Sequence, residues 1–198
     1  MSPTRGGSSP AEIEALYHAR ADSARMRFTE ADAHFMTMMI GHHAQALIMS
    51  RMAPSHGASP SVLRLTSRII NAQNDEIATM QRWLRDRGRH VPEVRLEGLK
   101  VLLDDSDRPV YMHGMLDLEE MRALDAAHGT EFDRLFLVGM IKHHSGAVDM
   151  VHDLFATDGA AQDELAFKLA NDIQVDQTTE IARMQRMLDA LDGKGRGP

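Results

Sequence analysis

The chain has 198 residues, 43% of them hydrophobic and 26% charged, with a formal net charge of -7. That is enough apolar sequence to bury a core without staples, while the lack of a concentrated Lys/Arg face argues against nucleic acid as a partner. No stretch approaches the roughly 18 apolar residues of a membrane span, and the absence of cysteine removes disulfides and thiolate metal sites.

Residues 1–9 are polar and small and read as disordered, with no apolar segment of the signal-peptide kind. A leading helix is expected over 10–28: Ser9 can cap it, Pro10 suits its first turn, and Ile13, Leu16 and Tyr17 share a face. A long helix follows from Thr29 to Ala53, with Thr29 and Asp32 placed as a capping box and Pro54 ending it. Ser59 and Pro60 open the next helix, which runs to Arg87 and stops at Gly88. The connector from Arg89 to Leu116 is broken by Pro92, Gly98, Pro109 and Gly114, and shows almost no strand pattern. A short helix is expected over 117–128. Two long ones follow, Thr130 to Ala156 and Ala161 to Leu191, and a flexible tail covers 193–198.

Fifteen methionines and eleven histidines are the anomalies of the composition. They concentrate in a motif that occurs twice, MMIGHHAQALIM from Met38 and GMIKHHSGAVDM from Gly139. A shift of 101 residues carries Phe35, Met39, His42, His43, Ala46 and Met49 onto Phe136, Met140, His143, His144, Ala147 and Met150. A second pair, EIATMQRWL from Glu76 and EIARMQRML from Glu180, repeats at a shift of 104. Each half is therefore a helical hairpin (29–88 and 130–192, joined by the connector 89–129). Two such hairpins make an all-α four-helix bundle, one duplicated domain over 10–192.

Phe35, Met39, His42, Ala46 and Met49 are spaced four, three, four, three, which is the seam of a packed helix, and the second copy keeps that spacing. So His42 and His143 point to the core. His43 and His144 lie about 100° further round, on rows that are also apolar. Met39 with His43, and Met140 with His144, stand one turn apart and can hold one ion between them. Thioether and imidazole donors together favour copper, as Cu(I) or Cu(II), ahead of zinc or iron. On the partner helices Gln73 and Gln177 fall at core spacing, as do Met80 and Met184. Glu76 and Glu180 either face solvent or orient a ligating imidazole. Met112, His113 and Met115 of the MHGM loop form a third soft-ligand cluster, or anchor the loop on the bundle.

The two Met-x-x-His-His-x-x-Ala motifs, the EIxxMQRxL segments and the MHGM loop followed by FDRLFLVGMIKHH resemble the DUF305 family over nearly the whole chain beyond residue 28. The resemblance implies a ferritin-like helical bundle, usually exported in bacteria, with some members binding copper in the periplasm or outside the cell. The family's commonest loop wording is close to MPGM. Here it is MHGM, which adds His113 and removes a proline.

Three functions compete. The first is a copper-binding protein for buffering or resistance, in which metal ions are the partners and no bond-making chemistry is needed. The second is a di-metal oxidase or peroxidase, which wants repeated Glu-x-x-His pairs; the carboxylate-x-x-His matches here, Asp125 with His128 and Asp149 with His152, do not repeat. The third is a structural bundle, against which stands the cost of burying four imidazoles without a use. No G-x-S-x-G elbow or phosphate-cradling glycine loop is present, so no enzyme activity is assigned. A homo-oligomer or a metal-delivery partner stays open.

Overall fold

The computed structural model describes residues 9–25 and 27–193. In chain order the elements are α1 (Pro10–Arg25), α2 (Glu30–Met52), α3 (Pro60–Asp86), β1 (Val94–Glu97), β2 (Lys100–Leu103), α4 (Leu118–Ala126), α5 (Gly129–Ala156) and α6 (Glu164–Leu191). Most of the expected disordered start and flexible tail, 1–8 and 194–198, lies outside the described residues.

The four long helices expected from the repeat all form, and their ends are chemically marked. Thr29 and Asp32 close a reciprocal capping box at the start of α2. Ser59 accepts from the Val62 amide ahead of Pro60 at the start of α3. Asp163 caps α6 and also accepts from the Trp83 indole and pairs with Arg87, which ties the start of α6 to the end of α3. The helices pack as two hairpins, α2 on α3 and α5 on α6, joined along α2 and α5.

The connector corrects the expectation of no strands. β1 and β2 pair antiparallel, Val94 with Leu103 through Glu97 with Lys100, around a tight turn in which Gly98 has φ +60°. Gly at the first position of a two-residue loop is the signature of such a hairpin. Strands of four residues are too short to announce themselves by alternation. The hairpin packs on α2, where Gly41 leaves room for Leu103 and the Met112 methyl group. The leading helix stops at Arg25, short of the expected residue 28, and its face of Ile13, Leu16 and Tyr17 is exposed.

The hydrophobic core of the bundle falls into two main clusters, with a third, small one under the connector. One main cluster holds Phe35, Met39, Met80, Ala147, Val151 and Ile173; the other holds Ala46, Met49, Ile69, Phe136, Met140 and Met184. The internal repeat carries one half onto the other. Every long helix passes from one cluster to the other, and each does so at a polar residue: His42 and His43 on α2, Gln73 on α3, His143 and His144 on α5, Gln177 on α6. All six of these side chains are buried. A polar layer thus crosses the middle of an otherwise apolar bundle.

Candidate metal centre

The four imidazoles of this layer are completely shielded from solvent. His42 and His143 are the central pair, with ring centroids 3.9 Å apart and planes tilted by 39°. His43 and His144 flank them, 6.4 Å from His42 and 6.1 Å from His143 respectively. This is the pseudo-two-fold that the sequence repeat implies.

Each ring spends its Nε2 on an oxygen. His43 donates to Glu76 at 2.6 Å and His144 to Glu180 at 2.7 Å. These carboxylates are largely covered, so of the two alternatives left open for them, facing solvent or orienting an imidazole, the structure takes the second. His42 donates to the main-chain carbonyl of His113 and His143 to that of His42, both at 3.0 Å. Because carbonyls only accept, Nε2 carries the proton in the two central rings and Nδ1 is left as a lone pair.

All four Nδ1 atoms are buried with no hydrogen-bond partner, as are both amide atoms of Gln73 and the amide oxygen of Gln177. Buried polar atoms are almost always satisfied, and each exception costs about 1–3 kcal/mol. Four such exceptions, one on each imidazole, fall in this one layer.

The two central rings also resist protons. Burial, followed by the charge His43 would carry, pushes the His42 pKa down to about 3. Burial, then His42, His144 and His43, holds His143 well below the ordinary value. Unfolded histidines take up protons near pH 6.5. Between that value and the folded ones the unfolded chain binds more protons, so stability falls as pH falls. The melting temperature of the metal-free protein is therefore expected to be flat above about pH 7 and to drop steadily below pH 6.5. Thermal melts across a pH series check this, and a variant with leucine at 42 and 143 should show a shallower slope.

Other candidates from the sequence fall elsewhere. Met39 and Met140 are fully buried, one turn from the histidines. Met80 and Met184 are also fully buried, each in the same half-core as the methionine of its own hairpin. Met115 is buried against Ala44 and Val101 and anchors the loop. The His113 ring faces outward, 3.6 Å from Asp149, with its side chain 71% exposed, so it does not enter the layer. What enters is its carbonyl. That contact was not legible in the sequence, nor was the clamp that sets it. Gln45 makes two 2.8 Å hydrogen bonds to the main chain of Leu116, and Gly146 lets the loop backbone touch α5. A glycine in mid-helix was the available signal.

Beside the layer, Asp176 is pushed up by burial first, then by Glu76, Glu180 and Asp172. Among the described residues, no three His, Asp or Glu side chains are grouped so as to hold a metal ion. No helix there is long and apolar enough to cross a membrane.

A family model described as a domain of unknown function, DUF305, matches residues 32–188. Among solved structures, a DUF305 protein of Streptomyces coelicolor considered secreted is 25% identical with a TM-score of 0.66, over 82% of this chain and 94% of that one. A DUF305 fragment from Deinococcus radiodurans is 26% identical with a TM-score of 0.67, over 82% and 98%. CopM in its Cu(I)-bound form is 31% identical with a TM-score of 0.58, over 80% and 96%. Similar structures hold CopM with Cu(II) and with silver. A comparison with curated proteins finds no match.

Proposed function

This chain belongs to the DUF305 family, and from that premise we propose that it binds copper outside the cytoplasm, for buffering or resistance. The observation that carries the reading is the set of four buried imidazoles whose Nδ1 atoms have no partner. CopM, with which the chain shares 31% identity, binds Cu(I) and supports the choice of metal.

The donor types fit the ion, although the four histidines are not gathered into one ready-made ligand cluster. His42, His43, His143 and His144 would supply neutral nitrogens, with Met39 and Met140 supplying thioethers one turn away. Soft and borderline donors of this kind prefer copper to zinc or iron. Copper is the cargo here, and what the chain's own residues do is hold it. Nε2 hydrogen bonds to Glu76, Glu180 and two carbonyls fix each ring and leave Nδ1 free to ligate. The depressed pKa of His42 keeps that nitrogen unprotonated in mildly acidic surroundings. No reacting bond is required, and we assign no catalysis.

Replacing Glu76 and Glu180 with glutamine removes the charge behind His43 and His144 while keeping size. Copper affinity should fall about 10–100-fold with the number of ions bound unchanged. Competition against a chelator of known affinity measures it, and an unchanged affinity would show that these carboxylates do not tune the site.

The primary test is a titration of the metal-free protein with Cu(I) under exclusion of oxygen, Cu(II), Zn(II) and Fe(II). Tight copper binding with weak zinc and iron is expected. Iron binding accompanied by oxygen consumption would transfer the assignment to an oxidase, and no tight binding of any ion would end the metal reading.

A further inference from the structure

The MHGM loop has a role that the buried layer does not use. Its Met112 and His113 side chains line an open pocket of about 260 Å³ between the start of α2 and the end of α5. Met38, Met112 and Met150 line this pocket together with His34, His113 and Asp153. Three thioethers and two imidazoles from three separate chain segments meet at one solvent-facing cavity.

Core filling is the ordinary use of methionine, and it describes these three only in part: Met150 and Met112 pack at the edges of buried clusters while also lining the pocket. Met36, Met39, Met49, Met80, Met140 and Met184 are fully buried, whereas Met38, Met112 and Met150 are only partly covered. The internal repeat sharpens the contrast. At the opposite end of the bundle, the positions equivalent to Met38 and Met150 are Gly139 and Met49. There the space is filled: a Cβ on Gly139 would meet Leu116 at 2.9 Å and the Met49 methyl group at 3.3 Å. The duplicated fold closes one end with an aliphatic plug and leaves the other open, rimmed with sulfur and imidazole.

We propose that this pocket is a second, solvent-open site for a monovalent soft metal ion, Cu(I) or its analogue Ag(I), held by Met38, Met112 and Met150 with His34 or His113. Neutral thioethers suit such an ion, and the nearby carboxylate of Asp153 favours a cation. The site lies next to the layer without sharing its donors: the side chain of His113 faces the pocket while its carbonyl fixes His42. The inference rests on the copper reading for the identity of the metal alone.

The test uses the whole chain, metal-free, labelled at the methionine methyl groups. Wild type, the triple variant Met38→Leu, Met112→Leu, Met150→Leu, and the double variant His42→Ala, His143→Ala are titrated with Ag(I) and with Cu(I) in the absence of oxygen. Methionine-to-leucine changes conserve volume and should fold. The triple variant should bind one equivalent fewer than wild type. The methyl resonances of Met38, Met112 and Met150 should shift in wild type and in the histidine variant alike. Equal capacity in wild type and the triple variant, or three methyl signals that stay still while metal binds, overturns the pocket. If the histidine variant keeps full capacity with the methyl shifts intact, the buried layer falls and the pocket stands. Absence of binding in wild type overturns both.

Discussion

Replacing His42 and His143 together with leucine is expected to abolish tight copper binding at the buried layer while leaving the metal-free protein as stable as wild type or more so. The two rings form the centre of the layer, 3.9 Å apart, and each leaves a bare, buried Nδ1. Their loss removes half of the nitrogen donors. Affinity should fall by more than the roughly 100-fold expected from losing an outer partner. Stability runs the other way. Leucine is similar in volume and has no polar atom, so each replacement relieves an unsatisfied nitrogen worth about 1–3 kcal/mol. Against this, the His113 carbonyl loses its donor at 3.0 Å. The His42 carbonyl belongs to the interior of α2 and keeps its place in the helical ladder. The net expectation is an unfolding free energy unchanged or raised by up to about 2 kcal/mol. Chemical denaturation of the metal-free proteins, paired with a copper titration, reads both quantities. A loss of about 2 kcal/mol or more in the variant would mean that the histidines serve the fold, and the structural alternative would then prevail. A protein made more stable by losing its buried histidines is one that retains them for binding.

The polar layer was legible in the sequence because two signals coincided. Repetition at a shift of 101 residues fixed the hairpins, and seam spacing turned His42 and His143 inward. Capping residues marked the helix starts, as the Thr29–Asp32 box shows. Both signals are local, or repeat what is local. The partners of the central rings are neither. A main-chain carbonyl has the same chemistry at every position, so nothing in the letters nominates the one at His113. The β1–β2 hairpin escaped because four-residue strands carry too few alternations to tell from a loop. Met38, His34 and Met150 escaped as a group because they come together only when the ends of α2 and α5 meet beside the connector. Glu76 and Glu180 were half legible. Their level in the hairpin followed from the turn position, while the inward direction of their carboxylates depended on packing.

Gly146→Ala is expected to lift the loop around His113 off α5. A Cβ at this position would lie 2.0 Å from the His113 carbonyl oxygen, 2.4 Å from its carbon and 2.6 Å from the Gly114 Cα. All three are backbone atoms, which cannot rotate aside as a side chain would. Gly114 is equally constrained from the other side: its φ is +77°, and a Cβ there would meet the Gly146 Cα and the Lys142 carbonyl at 2.6 Å. The two glycines face each other so that helix and loop can touch main chain to main chain. Two consequences follow from one added methyl group. Overpacking against rigid backbone should cost about 3 kcal/mol or more, the upper end of its usual range. Moving the loop also withdraws the His113 carbonyl from His42, freeing the ring to turn and its Nδ1 to lose its aim. Gln45, at the position equivalent to Gly146, holds Leu116 by two hydrogen bonds of 2.8 Å and should keep the far end of the loop in place. The damage should therefore be confined to the stretch around His113. Hydrogen exchange should quicken at residues 112–115 and stay slow at Leu116, with copper affinity falling alongside stability. An alanine variant with wild-type melting temperature and wild-type copper affinity would show that the loop does not seat on α5 as described.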